Sequence, residues 1–184
     1  PIERYGRLGE RLKQELRFDY DRVASGMQLM IWGYFKKLVL ADRINIFING
    51  AYGSYEKYGG LVQILAMLFD VVYIYADFSG CMDMARGISQ IFGVELDLNF
   101  NHPFSAKSVT EFWRRWHMTL GGWFKDYVYY PISTSGLVKG ITKAARGKLP
   151  DRLTRSIVTV IPVSVTWVLT GLWHGTGKTY LAWG

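Results

Sequence analysis

The chain has 184 residues, 49% of them hydrophobic and 16% aromatic, which is enough for one domain with a sizeable core. Its formal charge of +7 suits nucleic acid, anionic lipid or an acidic substrate. Most of the Trp, Tyr and Phe residues lie inside apolar segments, not between the cations, and this favours a membrane over a nucleic acid. The single cysteine, Cys81, excludes an internal disulfide framework and a Cys-rich zinc site. The chain starts at Pro1 without an initiator Met, signal peptide or targeting motif, so a piece of a longer protein is expected.

Residues 1–22 are dense in charge of both signs, with Leu8, Leu12 and Leu16 forming a narrow i, i+4 stripe. That pattern suits a surface helix or an interfacial helix lying on a bilayer. From Ser25 to Ile48 the chain is strongly apolar but interrupted by Lys36-Lys37 and Asp42-Arg43, too broken for a clean lipid-facing span. These charges are expected to pair internally or to reach the interface. After a Gly and Tyr-rich turn, Leu61 to Ala76 is apolar save for Gln63 and Asp70 and runs on into Asp77 and Asp83. Asp70 and Asp77, seven apart, share a helix face. Structural pairing is the leading reading for these carboxylates, with Arg86 the nearest basic partner of Asp83 at i+3.

Residues 84–93 read as a short amphipathic helix ending at Gly93, and Val94 to Phe104 as a loop in which Asn99, Asn101, His102 and Pro103 are turn formers. His102, directly before proline, is expected to be extended and locally hydrogen-bonded. Ser108 followed by Glu111 is a capping box and predicts a helix start. Apolar residues then recur at Val109, Phe112, Trp113, Trp116, Leu120, Trp123, Phe124 and Tyr127, the spacing of one helical face. His117 lies on that predicted face, where an imidazole is costly without a partner or a task. Pro131 and a Ser/Thr/Gly turn close the predicted helix.

Gly136 to Arg155 carries six cations against one acid, Asp151, and reads as a solvated loop. Ser156 to Trp173 follows without a charge and is the strongest transmembrane signal in the chain. Together they place the basic stretch on the cytoplasmic side, with Pro162 expected to kink the span or mark a non-ideal turn. His174 ends this segment and Gly175 is a good helix C-cap. An imidazole there is suited to take a proton from a hydroxyl, although a hydrogen-bonded structural histidine fits the spacing equally well. The GTGKT that follows is not a phosphate loop, because Leu172 stands where the pattern needs glycine. No nucleophile elbow occurs, and His102, His117 and His174 lack the short spacing of zinc ligands.

Several strings in this chain together resemble the membrane-bound O-acyltransferase family. They are Phe112 to Leu120 (FWRRWHMTL), Trp123 to Tyr127 (WFKDY), Gly171 to Gly175 (GLWHG), Gly33 to Lys37 (GYFKK) with Ala41 to Arg43 (ADR), Asp77 to Gly80 (DFSG) with Asp83, and Asn99 to Pro103 (NFNHP). The resemblance covers nearly the whole chain in order. Within the family it looks most like the bacterial branch of alginate O-acetyltransferase, with teichoic-acid D-alanyl transfer the neighbouring alternative. Departures from the pattern are Cys81, Gly121-Gly122, Lys125 and Ile132 to Ser135.

The resemblance implies an all-α, polytopic membrane protein, a helical bundle with re-entrant or amphipathic helices around a central channel. Residues 1–184 would be the central and C-proximal part of one membrane domain, with upstream and downstream helices outside it. It implies His174 as catalytic base and His117 as a second essential residue, with Trp113, Trp116, Trp173, Asp77 and Asn101 lining the substrate channel and no metal. The expected reaction moves an acyl group, acetyl foremost, onto hydroxyls of an extracytoplasmic polysaccharide. No cofactor is expected to be bound, and the acyl thioester donor, acetyl-CoA or an acyl-carrier protein, is a cosubstrate. Expected partners are membrane lipids, a polysaccharide or polyol acceptor and an extracytoplasmic partner acyltransferase, with no nucleic acid; the expected location is the bacterial cell membrane. Two rivals stay open: a membrane channel or transporter sensitive at Asp70 and Asp77, and a soluble basic nucleic-acid binder.

Overall fold

The computed structural model describes residues 2–15 and 17–183, so Leu16 of the N-terminal stripe lies outside the described residues. Among the described residues the chain is helical and has no strand. It divides into two compact units, Pro1–Trp116 and His117–Gly184.

In the first unit α1 spans Tyr5–Leu12. Arg7 and Asp97 form a salt bridge of 2.9 Å, and the backbone N–H of Asp97 donates to the Glu3 carboxylate at 2.7 Å, so the N-terminal arm is tied to the loop after residue 93. Helix α2 (Tyr20–Tyr34), a π-helical stretch (Phe35–Ala41) and α3 (Asp42–Gly53) form one unbroken run. Asp19 caps it by accepting from the Arg22 N–H at 3.0 Å. After the expected turn, α4 runs from Gly60 to Ile91 as a single helix. The short helix expected over 84–93 is therefore the last part of α4, although Gly93 does stand just past its end, at a positive φ of 72°.

Antiparallel packing of α2 and α4 rests on glycines. A Cβ on Gly26 would stand 2.8 Å from the Gly87 carbonyl oxygen, and one on Gly33 would stand 2.6 Å from that of Gly80. In each helix the two glycines are seven residues apart, two turns along one face, so the backbones approach closely at both points. The Lys36 ammonium is brought 2.6 Å from Asp83 and 3.1 Å from the Ser79 hydroxyl, while Lys37 lies 2.8 Å from Asp42 and 2.5 Å from Asp77. Of the charges that interrupt the apolar segment, Lys36, Lys37 and Asp42 thus pair internally, the first of the two alternatives expected for them. Arg86 also reaches Asp83, at 3.7 Å.

Three expectations about the middle of the chain are corrected. His102 is left-handed at φ 46°, not extended; its carbonyl accepts from the Ser105 N–H at 3.1 Å and the Ser105 hydroxyl at 2.7 Å, which offsets the bias that Pro103 imposes. The single helix expected over 108–127 is two: α5 (Val109–Arg115) and α6 (Met118–Phe124), separated by an extended Trp116 and a left-handed His117. Pro131 does not close the second, because a π-helical stretch (Lys125–Tyr129) leads into α7 (Tyr130–Ser133). The wide π turn stands where the proline removes one backbone donor.

The basic stretch is corrected as well. Its first half is helix α8 (Gly136–Ala145), capped by the Ser135 hydroxyl accepting from Val138, and only residues 146–150 remain as a loop. Helix α9 runs Asp151–His174 with Pro162 inside it, and α10 is Lys178–Trp183. α4 and α9 are long and apolar enough to cross a membrane, with only 11% of either apolar window buried. Neither is covered within its unit.

Candidate active site

Each unit holds part of the expected site. In the first, the Ser108 hydroxyl accepts from the Glu111 N–H at 3.1 Å, as the capping box predicts. The reciprocal bond slips by one residue, with the Lys107 N–H donating to the Glu111 carboxylate at 2.8 Å. That donor holds the Glu111 carboxyl below its usual range. Arg115 then bridges Glu111 at 2.6 Å and the Ser105 hydroxyl at 2.9 Å, fixing α5 against the loop before it.

Trp116 is the hub of an aromatic cluster, with ring centroids 5.0 Å from Phe100, 5.5 Å from Phe112 and 6.0 Å from Tyr75 of α4. Trp113 is 40% exposed and packs edge-on to Phe112 at 5.2 Å, lining a cleft with Phe104 and Val109. Asn101 is exposed; its backbone N–H donates to the Arg115 carbonyl at 3.0 Å. Asp77 is held by Lys37. Asn99, which shares a motif with Asn101, is 1% exposed, with its amide 3.4 Å from the Met82 sulfur.

The second unit holds both candidate histidines. His117 begins α6 at φ 44° and ψ 51°, and its carbonyl accepts from the Gly121 N–H at 3.0 Å. Apart from glycines, it and His102 are the positive-φ residues among those described. A left-handed backbone at a residue other than glycine costs of order 1–3 kcal/mol and recurs at functional sites. Its imidazole is pushed down to about 4 by burial and, next, by the charge of His174. The imidazole is therefore neutral at pH 7.

His174 ends α9, and Gly175 caps it by donating its N–H to the Gly171 carbonyl at 3.2 Å. The imidazole meets the edge of Trp183 at 5.0 Å and lines a cleft of about 280 Å³ with Thr179, Tyr180 and Trp183. Glycine at 175 has a specific cause: any Cβ there would overlap the Tyr180 ring. Trp173 points to the other side of the helix end, 6.4 Å from Trp123 of α6. Thr179, Tyr180 and Trp183 were not singled out by the sequence; their signal is the glycine at 175, which tells of a close neighbour without naming it. Among the described residues no group of three or more side chains is placed to hold a metal ion.

The sequence is similar to those of known proteins. Residues 23–145 match the model of the membrane-bound O-acyltransferase family. The chain is 33% identical over 175 residues to the peptidoglycan O-acetyltransferase of Helicobacter pylori, covering 94% of this chain and 29% of that protein. It is 34% identical over 164 residues to a protein of Pseudomonas aeruginosa named "Probable alginate O-acetylase AlgI", covering 89% and 28%. Against the teichoic acid D-alanyltransferase of Bacillus subtilis the identity is 31%, covering 100% and 45%. The chain thus spans between about a quarter and a half of the length of these relatives.

Proposed function

The chain belongs to the membrane-bound O-acyltransferase family, and on that premise we propose that it carries the catalytic histidines of a membrane-embedded enzyme. The enzyme moves an acyl group, acetyl foremost, from a cytoplasmic thioester to hydroxyls of an extracytoplasmic polysaccharide. The observation that supports this reading is that both histidines lie in one unit, His117 at a left-handed backbone position with a buried imidazole and His174 on the wall of a cleft.

In this reading His174 takes the proton of the acceptor hydroxyl as its oxygen attacks the thioester carbonyl carbon. The carbon–sulfur bond breaks as the ester forms, and the thiolate leaves with the proton that His174 returns. His117, neutral at pH 7, donates an N–H to the developing oxyanion or orients the hydroxyl. Trp173, beside His174, walls the path and limits hydrolysis; for Trp113, Trp116, Asp77 and Asn101 a channel-lining role is proposed from their motifs alone. The donor is acetyl-CoA or an acyl-carrier protein. The acceptor and an extracytoplasmic partner acyltransferase complete the system, in a multi-pass bacterial membrane protein whose helices surround a polar channel.

D-alanyl transfer is the second reading, supported by the likeness to the Bacillus protein, of which the chain covers a larger share than of the other relatives named above. Asp77 does not favour a channel, since Lys37 neutralises it. Mild base releases ester-linked groups from surface polymers, and comparison of cells with and without the full-length parent identifies what it adds. Loss of acetate supports the first reading and loss of alanine the second; unchanged esters contradict both.

A further inference from the structure

The corner between α8 and α9 carries cations that the acyl transfer leaves unused. Lys139, Lys143, Arg146, Lys148, Arg152 and Arg155 are all exposed, and none forms an ion pair among the described residues. The same stretch has one acid, Asp151. Six cations with so little counter-charge repel one another and require anions from elsewhere.

The apolar residues at this corner tell where. α8 buries Val138 and Ala145 in its unit, but Leu137 and Ile141, one turn apart, remain 65% and 40% exposed. Lys139 and Lys143 fall on roughly the opposite face at 3.6 residues per turn. Leu149 and Leu153 carry the exposed apolar series on to the start of α9, at 43% and 52%. Beside them a groove of about 640 Å³ sets the guanidinium groups of Arg152 and Arg155 and the hydroxyls of Ser156 and Thr159 next to the apolar Val160, with Asp151 also on its wall. The uncharged stretch of α9 begins at Ser156. When α9 crosses the bilayer, this corner therefore stands at the membrane surface, where apolar and basic faces on one helix are the mark of an interfacial segment.

We propose that α8 lies along the interface of an anionic cytoplasmic leaflet, with Leu137 and Ile141 in the acyl boundary and Arg152 and Arg155 on phospholipid phosphates. The leaflet supplies both the apolar cover and the counter-charge that the fold leaves out. Each cation near such a surface strengthens attachment about fivefold. The assignment does not depend on the roles of the histidines.

The test uses the full-length parent in nanodiscs, with a bimane label on Ile141→Cys as its one reactive thiol. In discs of phosphatidylcholine with phosphatidylglycerol, spin-labelled lipid should quench the label and aqueous iodide should not. Omitting phosphatidylglycerol, or combining Lys143→Gln, Arg152→Gln and Arg155→Gln, should raise iodide access severalfold. The lipid-composition arm keeps the proposal open to refutation if the triple variant fails to fold. Equal iodide access in both lipids overturns it, as does shielding from both quenchers, which would mean that protein covers the face. Shielding by coenzyme A in phosphatidylcholine alone would assign the cations to a soluble phosphate and overturn it too.

Discussion

The carbonyl oxygen of Gly80 lies 2.6 Å from the point where a Cβ on Gly33 would stand. No side chain fits there, so α2 and α4 meet backbone to backbone, and Lys36 and Lys37, a turn further on, are delivered to the carboxylates of α4. A steric fact about two glycines thus sets the register of two ion pairs.

Gly33→Ala should force the helices apart and cost about 1–3 kcal/mol, the range for overpacking a tight contact. Gly50→Ala, whose Cβ would meet nothing within 4 Å, is the control and should be neutral or slightly stabilising. Thermal unfolding of the full-length parent in detergent checks both; equal midpoints for the two variants would show that the close approach carries no energy.

The Lys36–Asp83 pair, with side chains 11% and 18% exposed, is covered enough that halving it should hurt more than removing it. Lys36→Met alone leaves a carboxylate with only the longer contact to Arg86 and should cost about 3–5 kcal/mol. Adding Asp83→Leu should recover much of that loss. A double variant as unstable as the sum of the two single variants would contradict the account.

His117 gives a pH signature. Its imidazole is pushed down to about 4 in the fold, against about 6.5 in an unfolded chain. The unfolded chain therefore binds its proton first as pH falls, and the stability that neutral His117 contributes is complete above about 6.5 and is lost between about 6.5 and 4. His117→Asn, which tolerates the left-handed backbone, should flatten the fall of the unfolding midpoint with acid. An unchanged slope would show that His117 is not the group responsible.

At the other histidine the sensitive neighbour is a glycine. Gly175→Ala would collide with the Tyr180 ring and displace the end of α9 that carries His174. A displacement of about 1 Å is enough to lower transfer about 100-fold. Tyr180→Ala in the same chain should restore a large part of the activity, which a general folding defect would not allow.

Much of this architecture is legible in the residues. Ser108 and Glu111 announce the start of α5, the uncharged run from Ser156 announces α9, and Gly175 announces its end. The break at His117 is not legible, because Trp113, Trp116 and Leu120 keep helical spacing straight through it and one left-handed residue leaves no mark on periodicity. In α8 the cations mask Leu137, Val138, Ile141 and Ala145, which by themselves read as a helical stripe. The spacing of seven between Gly26 and Gly33, and between Gly80 and Gly87, does hold the helix contact, but only the fold shows that the two pairs face each other.

The role of His174 is the centre of the account, and acyl transfer by the full-length parent tests it most directly. Membranes carrying the parent, or its His174→Ala variant at equal abundance, are given labelled acyl thioester and cell-surface polymer, and base-labile label on the polymer is counted. We predict that the variant loses at least about 100-fold, the lower range for removing a general base. Transfer at the rate of the unaltered protein would contradict the assignment of His174 as the base.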